Sequence, residues 1–428
     1  MKTEFPGFTK LDSEGGIDAF RLDTNGLEVL LAPAGETPVS TFMITYKVGS
    51  RDESLGETGA THFLEHMMFK GTERYSKKSS NTIFSALQSK GARVNATTWN
   101  DRTNYYEMLP TEHLALAIDI EADRMRNLSL DAAEVKSEKT VILNEHDRGE
   151  NEPFRKLYHA VWSAAYVAHP YHHPTIGWRK DIENVTSDSL RSFYDRYYWP
   201  NNATISVIGG FDAKATMDLI KEKFGGIPSQ DIPTKHFDGL EPAQLGERRL
   251  KIEMAGGMPT LIMAYKIPNA HHADLPALHV LGMVLSNGKS SVLSRLLVDS
   301  GLATMQSAGA SSFKDPGLFT VMSMCAEAEG LEKMESEIVG CLENLKNTLV
   351  SAEEINRAIK KLKAHTLYSR DGSFSLASEL NEAIASGDWK LYTRFLERAE
   401  SVTAEQIKEV ATRYFTAKTS TVGVYLPS

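Results

Sequence analysis

The segment TGATHFLEHMMFKG, residues 58–71, concentrates side chains able to hold a metal ion and to move a proton. Apolar residues at helical spacing and a closing Gly71 predict a short amphipathic helix. His62 and His66 are one turn apart, so both imidazoles leave the same face. One ion can then accept a ring nitrogen from each at about 2.0–2.1 Å. Glu65 follows His62 by one turn and adjoins His66, which brings its carboxylate to the rim of the same site. The pattern His-x-x-Glu-His is the inverted form of the commoner zinc-peptidase helix motif, the inverzincin arrangement. A chance occurrence, on the order of a few times per hundred chains of this size, would leave two surface histidines beside a solvated glutamate. Against that, Phe63, Leu64, Met67, Met68 and Phe69 embed the polar groups in apolar surroundings, where they need partners.

A catalytic zinc also needs a third protein ligand and an open position. Ser129, Leu130 and Asp131 open a second predicted helix that runs through Glu134, Glu138, Val141, Ile142, Leu143 and Glu145. Glu138 and Glu145 lie two turns apart and share a face with Val141 and Ile142. An acidic pair on a solvated face is the ordinary reading, but the apolar run between them directs at least one carboxylate inward. His146 competes on spacing alone, about 100° round the helix from Glu145.

The elements that must position these residues come in two copies. At a constant offset of 217, Val185 matches Val402, Leu190 matches Ile407, Arg196 matches Arg413, Tyr197 matches Tyr414, Thr204 matches Thr421 and Val207 matches Val424. Each copy reads as a helix opened by a capping threonine, then a turn, then a strand. A Gly/Pro-rich stretch from Gly225 to Glu247 separates them. The expected domains are 1–230, bearing the metal motif, and 245–428, structurally homologous without it, with 231–244 as linker. Each begins with strands (Leu27–Ala32 and Phe42–Val48; Leu250–Met254 and Thr260–Tyr265) and continues into long helices (Glu112–Leu128; Gly330–Leu349). This predicts an α+β class: two duplicated domains, each a mostly antiparallel sheet with helices packed on one face.

Composition narrows the function classes. The 428 residues are 41% hydrophobic and 24% charged, ordinary for a chain with a full core. Forty-seven basic against 56 acidic residues leave a net charge of −9, which argues against a generic nucleic-acid partner. Cys325 and Cys341 cannot build a disulfide framework or a four-cysteine zinc site and read as free thiols. No run approaches a membrane span. The start, MKTEFPGFTK, lacks the apolar core of a signal peptide; the expected location is the cytoplasm, or the periplasm if a leader was removed. The histidines at 169, 172 and 173 read as a proline-bounded surface loop, and His271 and His272 as a solvated turn.

Taken together, GATHFLEHMMFKGT, SEKTVILNEHDRGE and VNATTWNDRTNYY resemble the pitrilysin/insulinase family of zinc metallopeptidases. TIGWRKDIENVT and VTAEQIKEVATRYF extend the likeness over essentially the whole chain. The length fits the single-module, two-domain branch, which includes bacterial peptidases and the mitochondrial processing peptidase. The resemblance implies that His62, His66 and Glu145 ligate one Zn2+ per chain. It implies that Glu65 is the general base for the attacking water and that Glu138 supports a ligand from behind. Asn95, Ala96 and Thr97 would lie on an edge strand that binds substrate as an added strand; without the resemblance they read equally as an ordinary edge.

The chain departs from the family at one place. Complete members supply an Arg and a Tyr from the C-terminal half to hold substrate and oxyanion, and the matching positions here are Leu297 and Thr304. An oxyanion donor is worth about 10²–10³ in rate, so a heteromer is expected in which a paralogous subunit brings that pair. The function these features imply is a zinc-dependent endopeptidase, the catalytic subunit, hydrolysing peptides or unfolded segments in an enclosed chamber. The alternative is a non-catalytic scaffold or core subunit of a larger complex; hydrolysis of small esters or amides is weaker, since an edge strand suits peptides.

Overall fold

Runs rich in β-branched and aromatic residues, such as VSTFMITY and ATISVIG, form the central strands of the chain. The computed structural model describes residues 4–35, 37–235, 237, 239–370 and 372–428. Among them the strands are β1 (Phe8–Glu14), β2 (Ile17–Leu22), β3 (Glu28–Pro33), β4 (Val39–Tyr46), β5 (Arg93–Thr98), β6 (Thr103–Pro110), β7 (Ala203–Gly209), β8 (Arg248–Met254), β9 (Thr260–Lys266), β10 (Ala303–Ala310), β11 (Leu318–Cys325) and β12 (Ser420–Pro427). They form a seven-stranded sheet, ordered β1-β2-β3-β7-β4-β6-β5, and a five-stranded one, ordered β10-β11-β9-β12-β8. Neighbours are antiparallel except β3 with β7 and β12 with β8. The α+β class and the mostly antiparallel sheets are as expected from the sequence.

Each sheet anchors one compact unit, and neither unit is a single run of chain. The first gathers Met1–Glu145, Pro174–His236 and Tyr368–Thr393; the second gathers His146–His173, Phe237–Leu367 and Arg394–Ser428. No helix or strand falls among the described residues between Phe224 and Arg248.

In the first unit, one sheet face (Phe20, Val29, Leu31, Phe42, Ile44) packs against Phe63, Leu64 and Met67, Ile118 and Ile142 from three helices. The opposite face (Ile17, Ala19, Leu30, Ala32, Met43) is also covered, by Ala377, Leu380 and Ile384 of the helix Ser373–Ala385. The run Val29-Leu30-Leu31-Ala32 is buried on both sides and therefore reads as continuously apolar. In the second unit Ile262, Ala264 and Tyr425 meet Leu157, Val161 and Trp162 of the helix Pro153–Ala165. There the helix lies so near β12 that a Cβ on Gly423 would come within 2.3 Å of Val161 Cγ2. The sequence pattern gave no sign that each half of the chain contributes a helix to the other half's sheet.

The duplication extends to ion pairs. Arg196 reaches Glu57 at 2.7 Å. At the same offset, Arg413 reaches Asp274, whose Oδ2 also accepts from Tyr414 at 2.6 Å. Thr186 and Thr403 cap their helices with matching capping boxes.

The histidine loop is corrected by the structure. His169 and His173 are buried, and His169 Nε2 lies 3.0 Å from Asp315 Oδ2. His271 and His272 are exposed, as expected. Both cysteines are free thiols. Among the described residues no helix is long and apolar enough to cross a membrane.

Glu241 ties the segment after Phe237 to residues 167–169. Burial pushes its carboxyl up, but Lys266 at 2.7 Å and the backbone N–H groups of Ala168, His169 and Val167 outweigh this and hold it at about 2. A folded-state value below the unfolded one, about 4.3, gives stability that is present above that pH and lost as pH falls through the folded value. Glu241→Gln is therefore expected to lower Tm at pH 7, with the deficit shrinking from pH 5 to pH 3. A deficit of equal size across that range would rule out the charge as its cause.

Candidate metal centre

The histidine helix, Ala60–Met68, is fixed at its N-terminus before any metal is considered. Gly59 adopts φ 84°, and a Cβ there would come within 2.4 Å of the Ile176 carbonyl oxygen, so glycine alone fits. Glu53 is buried and accepts from the backbone N–H groups of Gly59 and Thr61, both at 2.8 Å. Asp181 Oδ2 accepts from Thr58 Oγ1 at 2.6 Å. Buried Phe63, Leu64, Met67 and Met68 set the helix rotation, which leaves His62, Glu65 and His66 on the half-buried face. Neither Glu53 nor Asp181 is recognisable in these roles from its sequence context, because such contacts leave no periodic trace.

The acidic helix spans Ala132–Glu150. Its inward stripe is Val135, Glu138, Ile142 and Glu145. Val141 is 48% exposed and does not share that face, contrary to the sequence reading. Glu145 Oε2 lies 3.8 Å from the Nε2 atoms of both His62 and His66. One ligand atom from each of the three lies within 4.8 Å of the others. Ligands at 2.0–2.1 Å from a tetrahedral ion stand about 3.3 Å apart, so closing this set on an ion takes small side-chain movements. His146 is not in the set; its Nδ1 lies 3.6 Å from Asp147.

Glu138 stands behind the site. Its Oε1 is 2.9 Å from His66 Nδ1, which directs His66 Nε2 toward Glu145, and its Oε2 pairs with Lys70. The hydrogen bond from His66, together with Lys70, outweighs burial and holds the Glu138 carboxyl at about 2. At Glu65 burial prevails over the Thr98 hydrogen bond and keeps the carboxyl above the usual carboxylate range. Three carboxyl groups face two imidazoles and one lysine, an arrangement suited to a divalent cation. Two imidazoles with one carboxylate are a donor set of catalytic zinc sites, so the residues present fit the ion.

β5 is an edge strand, paired on one side only, with Asn95 opposite Tyr106 and Thr97 opposite Asn104. Asn95 and Thr97 are exposed and Ala96 is buried. A groove of about 1330 Å³ opens beside the helix, lined in part by Glu65, His66, Phe69, Phe84, Asn95 and Glu138. Arg102 clamps the end of the strand: Nη1 donates to the Thr97 carbonyl at 2.9 Å, and Nη2 lies 2.5 Å from Glu382.

Among the described residues, the second unit offers no equivalent group. The offset of 217 carries His62 to His279, Glu65 to Gly282 and His66 to Met283. His279 Nε2 lies 2.8 Å from Ser312 Oγ. A Cβ on Gly282 would come within 3.1 Å of the Ala308 carbonyl, so the helix rests on β10 with little room for an acid. Leu297 is fully buried and Thr304 is exposed on β10.

The geometry thus brings together three donors that could hold a divalent cation, with an adjacent carboxyl, in one unit of a duplicated α+β chain. Residues 28–177 match the family described as Insulinase (Peptidase family M16), and residues 184–362 match Peptidase M16 inactive domain. The chain is 30% identical over 404 residues to a protein named zinc protease PqqE from Helicobacter pylori, covering 93% of this chain and 90% of that one. It is 25% identical to the mitochondrial-processing peptidase subunit beta of Lentinula edodes, over 91% of this chain and 86% of the relative. The crystal structure of a protease from Helicobacter pylori superposes with a TM-score of 0.89 at 28% identity, covering 99% of this chain and all of that one. The chain belongs to the insulinase family of peptidases, M16.

Proposed function

We propose that this chain is the catalytic subunit of a zinc-dependent endopeptidase acting on peptides or unfolded segments admitted to an enclosed chamber. The observation that carries this is the convergence of His62, His66 and Glu145, with Glu65 on the same helix face. Names of relatives such as zinc protease PqqE support the same reading. A zinc ion held by these three residues would supply Lewis-acid polarisation of the scissile carbonyl and acidify a water. Glu65, on the same helix face, would accept a proton from that water and return it to the leaving amine. Glu138 keeps His66 oriented and in one tautomer. The free edge of β5, at Asn95, Ala96 and Thr97, pairs with extended substrate backbone and so imposes little side-chain selectivity.

Leu297 and Thr304 cannot bind an oxyanion as Arg and Tyr do, so the active form contains a paralogous partner that supplies them. A relative named as a subunit of a processing peptidase supports a paired assembly. The test is metal analysis and hydrolysis of an unstructured fluorogenic peptide, by the chain alone and with its paralogue. About one zinc per chain, with cleavage that rises at least about 10²-fold on adding the partner, is the expected result. Absence of stoichiometric metal would favour a scaffold role; full activity of the lone chain would remove the partner requirement.

A further inference from the structure

Thr98 joins the peptide-binding edge to the proton-transfer group. It is the last residue of β5, and its Oγ1 donates to Glu65 Oε2 at 2.5 Å. Strand alternation places it on the same side as buried Ala96, toward the histidine helix, while Asn95 and Thr97 face outward. Its backbone is braced on both sides. The carbonyl of Thr97 is held by Arg102 at 2.9 Å. The carbonyls of Trp99 and Asn100 accept from Ser50 N at 3.1 Å and Arg51 N at 2.9 Å. An edge strand held this firmly can fix the position of a side chain on the neighbouring helix.

We propose that Thr98 is a positioning residue for the hydrolysis assigned above, and the inference rests on that reading. Its hydroxyl holds one carboxylate oxygen of Glu65, which fixes the side chain and leaves the other oxygen to take the proton. Because the same strand pairs with the peptide, substrate backbone and base are set in register by adjacent residues. Loss of the hydroxyl frees Glu65 to rotate without disturbing His62, His66 or Glu145. A misplacement of about 1 Å in such a group costs up to about 10²-fold in rate.

The test compares Thr98→Val, Thr98→Ala and Thr98→Ser as zinc-loaded full chains, with the partner subunit present, using a quenched fluorescent peptide. Val and Ala are expected to lower kcat about 10–100-fold with KM changed less than about threefold, and with bound zinc and Tm as in the parent. Ser, which keeps the hydroxyl, is expected to restore kcat to within about threefold. A kcat for Ala within threefold of the parent, a loss carried by KM, or a Ser variant as slow as Val would overturn the proposal. If the parent protein itself binds zinc and cleaves no peptide, the peptidase reading fails and takes this proposal with it. A fully active parent beside unaffected Val and Ala variants sinks Thr98 alone.

Discussion

Glu65→Gln is expected to lower kcat by about 10³-fold while the protein still binds one zinc per chain. Glutamine keeps the size of the side chain and an oxygen that accepts from Thr98, so the local packing is retained. It cannot take a proton from water, and general-base catalysis typically contributes 10²–10⁴-fold. The loss corresponds to about 4 kcal/mol of transition-state stabilisation. Steady-state hydrolysis together with metal analysis measures both arms. Activity within tenfold of the parent would assign the base elsewhere.

Glu145→Ala is expected to abolish activity by releasing the metal, with a larger loss of zinc affinity than Glu138→Gln produces. Glu145 offers an oxygen 3.8 Å from both imidazoles, whereas Glu138 touches only the far side of His66. Groups that orient a ligand from behind typically cost 10–100-fold in affinity when removed; a lost ligand should exceed that range. Competition with a chromophoric chelator gives the two affinities directly. If Glu138→Gln proves the more damaging change, the third ligand is misassigned, and the 2.9 Å contact to His66 would be the place to look.

The parts of the site that were legible in the sequence are those written within one helix turn. His62, Glu65 and His66 declare themselves by spacing, because helical geometry alone puts them on one face. Glu145 was reachable through its apolar context and the family likeness. The same context misplaced Val141: it read as part of the inward face, yet it is turned to solvent while Ile142 is buried. Thr98 is separated from Glu65 by 33 residues, and no local pattern pairs a strand-end threonine with a helix glutamate. Alternation along VNATT, with Ala96 inward, was the one available hint. Glu53 was equally silent, since a carboxylate capping a helix several residues downstream looks in sequence like any surface acid. For the fold, the repeated Thr-capped helix and strand revealed the duplication. The destinations of Pro153–Ala165 and Ser373–Ala385 could not be read, because amphipathicity tells a helix to bury one face but not which sheet will bury it.

Those two crossed helices make the halves mutually dependent for folding. A fragment ending near Phe224 keeps His62, His66 and Glu145 but leaves Leu30, Ala32 and Met43 without their cover from Leu380 and Ile384. The complementary fragment strips Ile262 and Tyr425 of Leu157 and Val161. Expressed alone, either piece would present a broad greasy surface and tend to aggregate. A single proteolytic nick in the segment between them, by contrast, should leave both pieces clasped together, each still gripping the other's sheet.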